Sequence, residues 1–368
     1  MPITISYQIV APTEAEATEK VTNICYEQSV ELPDNVLTPE IRETRLGKPG
    51  SLFQKGTHLW VCDISFPEEN AGADITQFLN ILFGNVSMFE GVKISGIDWK
   101  SCKNNPLKGP SFGIEGVKKK MDIQSDRALS CTALKPMGST SEQLAEYAYQ
   151  FARGGIDIIK DDHGLANQPF SPFKERLKAC TDAVKKANDK TGFQSAYYPN
   201  VTADGSETIR RYEQAFEAGA GGVLLSPHLC GLQIMHELAR LDIPLPIMAH
   251  PAFSGGLVQN PTHGFTKSFL YGSLWRAFGA DFSIYPNAGG RFSFTEDECL
   301  GVNRACRIKN VVYHPIYPTP GGGIQRNTIS SLLESYGTQT VFLIGGSLYQ
   351  HPKGLQYASF EISTILNS

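Results

Sequence analysis

Four side chains that can carry charge or bind a metal occur together at the end of one hydrophobic segment. The segment 156–159, which contains three isoleucines, is followed directly by Lys160, Asp161, Asp162 and His163. A short β-branched run is typical of a buried strand in a parallel sheet. Buried charges are costly unless they are paired or bound to a metal, so packing alone does not explain the cluster. We therefore expect these four residues to lie in the turn after the strand and to form a catalytic site. The alternative is a charged turn that is exposed to solvent.

Two further candidates for proton transfer follow other predicted strands. Lys135 comes after an apolar strand and precedes Pro136. Partial burial lowers a lysine pKa towards neutrality, so Lys135 is a candidate general base, although a surface lysine with a buried stem fits the same pattern. His250 also stands at the end of a predicted strand, before Pro251. We expect His250 to be functional.

Two glycine clusters suggest an anionic substrate. Gly322 and Gly323 follow the seventh of eight predicted strands, and Gly345 and Gly346 follow the eighth. In an eight-stranded β/α barrel these two turns are the usual phosphate site, because backbone N–H groups without a side chain approach an anion closely. The sequence therefore predicts a phosphorylated substrate, with tight turn geometry alone as the alternative.

The elements that position these residues form a regular series. Apolar strand candidates alternate with amphipathic stretches, and the strand candidates lie at 129–134, 156–159, 195–201, 222–225, 246–249, 282–285, 311–317 and 341–344. The amphipathic stretches lie at 142–151, 173–187, 206–218, 229–241, 265–278, 295–306, 324–336 and 355–366. Eight such alternations predict an α/β fold with a (β/α)₈ TIM barrel, in which residues just after each strand share one mouth. An open doubly wound sheet is the competing architecture.

The N-terminal part of the chain has a different pattern. Strands are predicted at 3–10, 57–66 and 92–99, and helices at 13–30 and 75–84. This mixture predicts a small α+β domain of the split βαβ, ferredoxin-like kind. We place that domain at 1–113 and the catalytic barrel at 114–368.

Composition excludes several classes of protein. The chain has 368 residues, of which 41% are hydrophobic and 19% charged, and its net charge of −4 gives no reason to expect nucleic acid or an anionic membrane as partner. No apolar run is long enough to span a bilayer, and the N-terminus lacks the regions of a signal peptide. The eight cysteines form no Cys-x-x-Cys pair and are predicted to be reduced. We expect a cytoplasmic protein.

At these residues the chain resembles the ribulose-bisphosphate carboxylase (RuBisCO) superfamily over nearly its whole length. The landmarks that carry the resemblance lie, in order, at 83–86, 109–113, 134–136, 155–162, 167–170, 250–252, 322–323 and 345–346. The resemblance implies an N-terminal α+β domain, a C-terminal barrel, and a homodimer or a larger assembly of dimers in which Asn85 contributes to the neighbouring subunit's substrate site.

The resemblance also implies roles for the barrel residues. Lys160, carbamylated by CO₂, would bind a divalent metal together with Asp162 and the next residue, and Lys135 would be a proton-transfer base. The paired glycines would hold phosphate. The metal implied is Mg²⁺.

Several positions depart from the carboxylase pattern. His163 replaces the glutamate of the metal site, Met137 replaces a second lysine, and Pro251 replaces an arginine that binds a second phosphate. The loop 286–292 lacks the lysine that closes over the incoming carboxylate. A histidine in place of glutamate removes one negative charge from the ligand set, which should weaken the binding of Mg²⁺ and favour Mn²⁺ or Co²⁺. The alternative is that His163 faces away and no metal binds.

These departures point to the RuBisCO-like proteins, which keep the enolisation chemistry without carboxylation. The sequence 247–252 resembles the branch acting on methylthio-pentose phosphates in methionine salvage. We expect an isomerase of 5-methylthioribulose 1-phosphate, a phosphorylated ketose, because the glutamate and longer tail of the enolase branch are absent. The alternatives are a 2,3-diketo-5-methylthiopentyl-1-phosphate enolase and a non-catalytic protein in sulfur or oxidative-stress responses.

Overall fold

The structure, a computed structural model, describes residues 2–102, 105–309 and 312–367. These residues form two compact units. The first contains residues 2–102, 105–107 and 254–273 with Val312, and the second contains 108–253, 274–309 and 313–367. Residues 254–273 thus belong to the first unit, although the sequence assigned them to the barrel. The predicted boundary at 113/114 stays a prediction.

The first unit is built on a five-stranded sheet. Its strands are β1 (Pro2–Val10), β2 (Lys48–Gly56), β3 (Leu59–Pro67), β4 (Val92–Ile97) and β10 (Gly264–Phe265), in the order β10-β4-β1-β3-β2. Alternate residues of β1, from Ile3 to Ile9, are buried, as expected for a strand with one face on a core. Helices Glu14–Glu27, Pro39–Arg45, Ile75–Phe83 and Gly255–Val258 complete the unit. The predicted small N-terminal domain is confirmed.

The second unit contains an eight-stranded parallel sheet. Its strands are β5 (Leu129–Leu134), β6 (Ile158–Asp161), β7 (Ala196–Tyr198), β8 (Val223–Leu225), β9 (Ile247–Ala249), β11 (Phe282–Pro286), β12 (Tyr317–Gly321) and β13 (Val341–Leu343), in the order β7-β6-β5-β13-β12-β11-β9-β8. The two outer strands meet through a parallel bridge between Asn200 and Leu224. The sheet therefore closes, which confirms the predicted (β/α)₈ barrel.

Helices follow the strands in the expected alternation. They are Gly113–Lys120, Ser141–Arg153, Phe173–Thr191, Ser206–Glu217, Pro227–Cys230, Leu232–Arg240, Trp275–Ala277, Glu296–Arg307, Ile329–Tyr336, Gly346–Tyr349 and Leu355–Asn367. Thr140 and Thr295 each start a helix with a capping box, which stabilises a helix by about 1 kcal/mol. Among the described residues, no helix is both long and apolar enough to cross a membrane.

The barrel interior is packed with side chains from successive strands, including Cys131, Ile158, Leu224, Met248 and Phe282. Its N-terminal end is closed by the helix Gly113–Lys120, whose apolar residues join the same cluster. Asp281 holds the start of this helix, because its Oδ1 accepts hydrogen bonds from Phe112 and Gly113 at 2.8 Å. The opposite end of the barrel is thus left for chemistry. All eight cysteines are free, as predicted.

Two strand predictions were displaced along the chain. The seventh barrel strand was placed at 311–317 but begins only at Tyr317, and Val311 lies outside the described residues. Pro318 and Pro320 within it weaken the local signal for a strand, since proline cannot donate to the ladder. The second strand ends two residues later than predicted, so Lys160 and Asp161 lie within β6 and not in the following turn.

Two further segments differ from the expectation. The stretch 265–278, predicted as one helix, contains the end of β10, a π-helix at Ser268–Leu274 and the short helix Trp275–Ala277. Strand β2 was missed, because its sequence KPGSLFQKG begins with turn-forming residues and is largely exposed.

Candidate active site

The alternation of side chains along β6 separates the charged residues into two groups. Neighbouring residues on a strand face opposite sides, so Lys160 and Asp161 cannot share a site. Asp161, fully buried, accepts hydrogen bonds from Arg176 Nε at 3.0 Å and Tyr197 Oη at 2.7 Å. The backbone N–H of Asn200 donates to it at 3.0 Å. Asp161 therefore anchors the strand to the helix Phe173–Thr191 and is a structural group.

Among the residues that the structure describes, none offers buried Lys160 a side-chain partner at hydrogen-bonding distance. It is 1% exposed, and its Nζ donates only to the backbone oxygen of Asp161, at 3.1 Å. Burial lowers the pKa of Lys160, since a buried ammonium loses its hydration. The neutral amine thus favoured is the form of lysine that adds CO₂. The surroundings of Lys160 therefore suit the carbamate that the family resemblance implies.

Asp162 connects the second strand to the first. Its Oδ1 lies 2.6 Å from Lys135 Nζ and 3.5 Å from His163 Nδ1. Burial alone would raise the pKa of Asp162, but hydrogen bonds from His163 and Lys135 outweigh it and hold that pKa well below its usual range. Asp162 is therefore an ionised carboxylate beside the lysine at the end of β5.

The two predicted site histidines are stacked on each other. The rings of His163 and His250 have centroids 4.4 Å apart and planes inclined by 12°. The Nδ1 atom of His250 accepts the backbone N–H of Ala252 at 3.1 Å. Burial lowers the pKa of His250 well below its usual value. His250 is thus a neutral imidazole, and the stack joins the ends of β6 and β9 across the mouth.

Two supporting residues were not recognised in the sequence. Tyr349 Oη accepts the backbone N–H of Lys135 at 2.8 Å and donates to the oxygen of Ala133 at 3.0 Å. Asn200 Nδ2 donates to the backbone oxygens of His163 and Leu165, each at 3.0 Å. These contacts fix the loops that carry the site. A tyrosine three residues after Gly346 has no sequence signal that would single it out.

The paired glycines follow neighbouring strands, β12 and β13. Gly322 and Gly323 have φ of 85° and 80°, a conformation that side chains rarely adopt. A Cβ added at Gly345 or Gly346 would meet nothing within 4 Å, so open space lies in front of both. Since β13, β5 and β6 are consecutive and strands lie about 4.8 Å apart, the ends of β13 and β6 are about 10 Å apart. The glycine pairs remain the predicted phosphate site.

Asn85 lies in the first unit, outside the barrel. Its Nδ2 donates to Glu27 Oε1 at 2.8 Å. Its predicted contribution to a neighbouring subunit's substrate site stays a prediction.

The barrel mouth fits a divalent cation only with a modified lysine. The described residues contain no group of three His, Cys, Asp or Glu side chains that could hold a metal. The 3.5 Å between Asp162 Oδ1 and His163 Nδ1 lets one ion contact both with bonds of about 2.1 Å. A carbamate on Lys160 would supply the further oxygen donors. Lys160, Asp162 and His163 together therefore fit the implied cation.

Comparison with known proteins gives the family. Residues 113–360 match the model of the ribulose bisphosphate carboxylase large chain, catalytic domain. This chain belongs to that family. Among solved structures, a RuBisCO-like protein from Rhodopseudomonas palustris superposes with a TM-score of 0.89 and 31% identity, covering 100% of this chain and 97% of the other. The family resemblance inferred from the sequence is confirmed.

Within the family, two curated relatives have named activities. The 5-methylthioribulose-1-phosphate isomerase of Rhodospirillum rubrum is 31% identical over 94% of this chain and 91% of its own length. The 2,3-diketo-5-methylthiopentyl-1-phosphate enolase of Bacillus pumilus is 36% identical over 79% of this chain and 72% of its own length.

Proposed function

We propose that this member of the RuBisCO family is an isomerase of 5-methylthioribulose 1-phosphate that works by enolisation. The observation that supports it most is the grouping of a buried amine, Lys160, with the Lys135–Asp162 pair at the ends of adjacent strands. Such a group can remove a proton beside a carbonyl and stabilise the charge that develops. The match to the named isomerase over 94% of the chain agrees with this assignment.

The proton transfer assigns a task to each side chain. The side chain of Lys135, at the end of β5, is 38% exposed, so a substrate in the barrel mouth can reach its Nζ atom. Lys135 in its neutral form, or the Lys160 carbamate, would take the proton from the carbon that lies beside the carbonyl and bears a hydroxyl. The electrons of the C–H bond then form the enediolate double bond. Return of that proton from the base to the former carbonyl carbon, with the neutral imidazole of His250 alongside as a hydrogen-bond partner for the enediolate, moves the carbonyl along the chain.

Lys160 as carbamate, Asp162 and His163 are the proposed ligands of a divalent cation. When bound, the cation acidifies the C–H bond by polarising the carbonyl and the adjacent hydroxyl. Because His163 takes the place of a glutamate, the cation has one negative ligand fewer, and we propose Mn²⁺ or Co²⁺ as effective replacements for Mg²⁺. The substitution His163→Glu should increase the activity measured with Mg²⁺. Unchanged activity with Mg²⁺ would contradict this ligand assignment.

Carboxylation is not part of the proposal. Pro251 follows His250 where an arginine would hold a second phosphate, and the loop 286–292 lacks a lysine to meet an incoming carboxylate. The named enolase is the second candidate, favoured by its slightly higher identity over a shorter match.

Proton exchange in D₂O tests the proposal. The protein, supplied with Mg²⁺ and bicarbonate, should incorporate deuterium at the carbons flanking the carbonyl of 5-methylthioribulose 1-phosphate and form an isomerised product, both followed by NMR. Lys135→Ala and Lys160→Ala should abolish exchange. Lys178→Ala, which removes a lysine 80% exposed on a neighbouring helix, is the matched control and should keep it. Turnover only with the diketo substrate would replace isomerase by enolase. Absence of exchange and turnover from both would favour a binding protein.

We also propose a homodimer in which Asn85 completes the partner's site. Mixing two inactive variants, Asn85→Ala and Lys160→Ala, should then restore about a quarter of the activity, because half of the dimers are mixed and each has one intact site. No recovery after subunit exchange would contradict the shared site.

A further inference from the structure

Met137 presents a large apolar side chain at the barrel mouth. It lies two residues after Lys135 and is 55% exposed. Exposed methionine is a flexible, polarisable contact surface suited to apolar and sulfur-containing groups. Its position beside the lysine makes it a candidate contact for the substrate.

Gly164 fixes where the end of Met137 lies. A Cβ added at Gly164 would stand 2.4 Å from Met137 Cε and 3.5 Å from Asp162 Oδ2. The thioether methyl therefore packs on the glycine, beside the carboxylate of the site. Gly164 does not have a positive φ, so its backbone conformation does not itself require glycine. The absence of a side chain at Gly164 instead leaves the space that the end of the Met137 side chain occupies.

The support under Met137 is held in position. Asn200 Nδ2 donates to the backbone oxygens on either side of Gly164, those of His163 and Leu165. Gly164 is thus fixed between two hydrogen-bonded carbonyls. Met137 thus keeps its Cε on Gly164, beside the Asp162 carboxylate, while 55% of the residue stays exposed.

We propose that Met137 determines substrate specificity, by providing the apolar contact for the alkylthio end of the sugar phosphate. This assignment rests on the proposed function, because it assumes that the substrate carries such a group. The uncharged thioether of Met137 packs well against a methylthio group. It is not a favourable partner for a hydroxyl or a second phosphate at that end of the substrate. Met137 is therefore a specificity residue, and the proton chemistry stays with the lysines.

The test compares two substrates that differ only at this end. 5-Methylthioribulose 1-phosphate carries the thioether, and ribulose 1-phosphate carries a hydroxyl. Met137→Gln should lower the ratio of kcat/KM for the first over the second by about 10-fold, the usual effect of losing a small apolar contact. Gly164→Ala should lower the same ratio, because its methyl displaces Met137, and the double variant should fall no further than Met137→Gln alone. Phe216→Gln, at a residue 46% exposed on the helix Ser206–Glu217, is the control.

The outcomes separate the two proposals. If wild-type protein acts on neither substrate, the proposed function fails and this assignment fails with it. If wild-type protein is active but Met137→Gln changes kcat/KM for both substrates equally, only the specificity role of Met137 is overturned. Additive losses in the double variant would likewise show that Gly164 acts independently of Met137.

Discussion

Replacement of Arg176 by leucine should destabilise the protein strongly although the residue makes no contact with the proposed substrate. Arg176 and Asp161 are both 0% exposed, so the substitution leaves a carboxylate buried without its cation. Breaking a buried ion pair in this way costs about 3–5 kcal/mol. The hydrogen bonds from Tyr197 and Asn200 remain and hold the cost below the upper end.

The guanidinium also holds the loop after β6. It donates to the backbone oxygens of Ser171 and Ala166, each at 2.7 Å, and both acceptors lose this partner in Arg176→Leu. We therefore expect a total loss of about 4 kcal/mol, which lowers Tm by about 10 °C in a barrel of this size.

Calorimetry and urea unfolding measure this loss. The matched control is Lys178→Leu on the same helix, which breaks a 2.6 Å ion pair with Asp182 whose side chains are 80% and 64% exposed. Exposed pairs contribute about 0–1 kcal/mol, so the control should unfold within a few degrees of wild type. Equal, small shifts for both variants would refute the inference that Asp161 is an ionised structural anchor.

Three further predictions concern other positions. Tyr349→Phe removes the hydrogen bonds of Tyr349 Oη to the Lys135 N–H and the Ala133 oxygen, so kcat/KM should fall about 10-fold with a loss of about 1–2 kcal/mol in stability. Kinetics within twofold of wild type would contradict this positioning role. Gly346→Ala adds a methyl where nothing lies within 4 Å, so Tm should hold while KM rises about 10-fold, and an unchanged KM would remove Gly346 from the phosphate site. Burial lowers the pKa of His228 to about 4, and its Nε2 accepts the Trp275 indole N–H at 3.1 Å. His228 therefore stays neutral in the folded state down to about pH 4, whereas the unfolded chain takes up a proton below about pH 6.5. The free energy of unfolding thus decreases as the pH drops from 6.5 to 4, by about 3 kcal/mol from this group. His228→Gln should show a shallower loss in urea unfolding over that range; an identical slope would contradict the assignment.

The barrel could be predicted from sequence because its signal is repeated. Each apolar run alone is ambiguous, but eight alternations with helical stretches fit one architecture. Errors occurred where local signals conflict with the fold. Tyr317–Gly321 contains two prolines, yet each of its residues pairs in parallel with one of Phe282–Pro286. The short segment Gly264–Phe265 joins the sheet of the first unit, which no local pattern indicates.

The sequence indicated which residues form the candidate site better than it indicated how they are arranged. Lys160 and Asp162 were singled out as a cluster with Asp161, but strand alternation sends Asp161 to the helix side, where Arg176 neutralises it. Recognising this required the strand end to be known within one residue, which is beyond the accuracy of a sequence pattern. The stacking of His163 on His250 depends on two strands that are not neighbours, so it follows only from the closed barrel.

A crystal structure with a non-enolisable analogue, 5-methylthioribulose 1-phosphate reduced at its carbonyl, tests the central claim most directly. We expect phosphate oxygens at hydrogen-bonding distance from the backbone N–H groups of Gly322–Gly323 or Gly345–Gly346, with the reduced carbonyl carbon beside Lys135 and Asp162. A phosphate bound elsewhere, or a sugar chain more than about 15 Å from Asp162, would contradict it, because no five-carbon phosphate spans that distance.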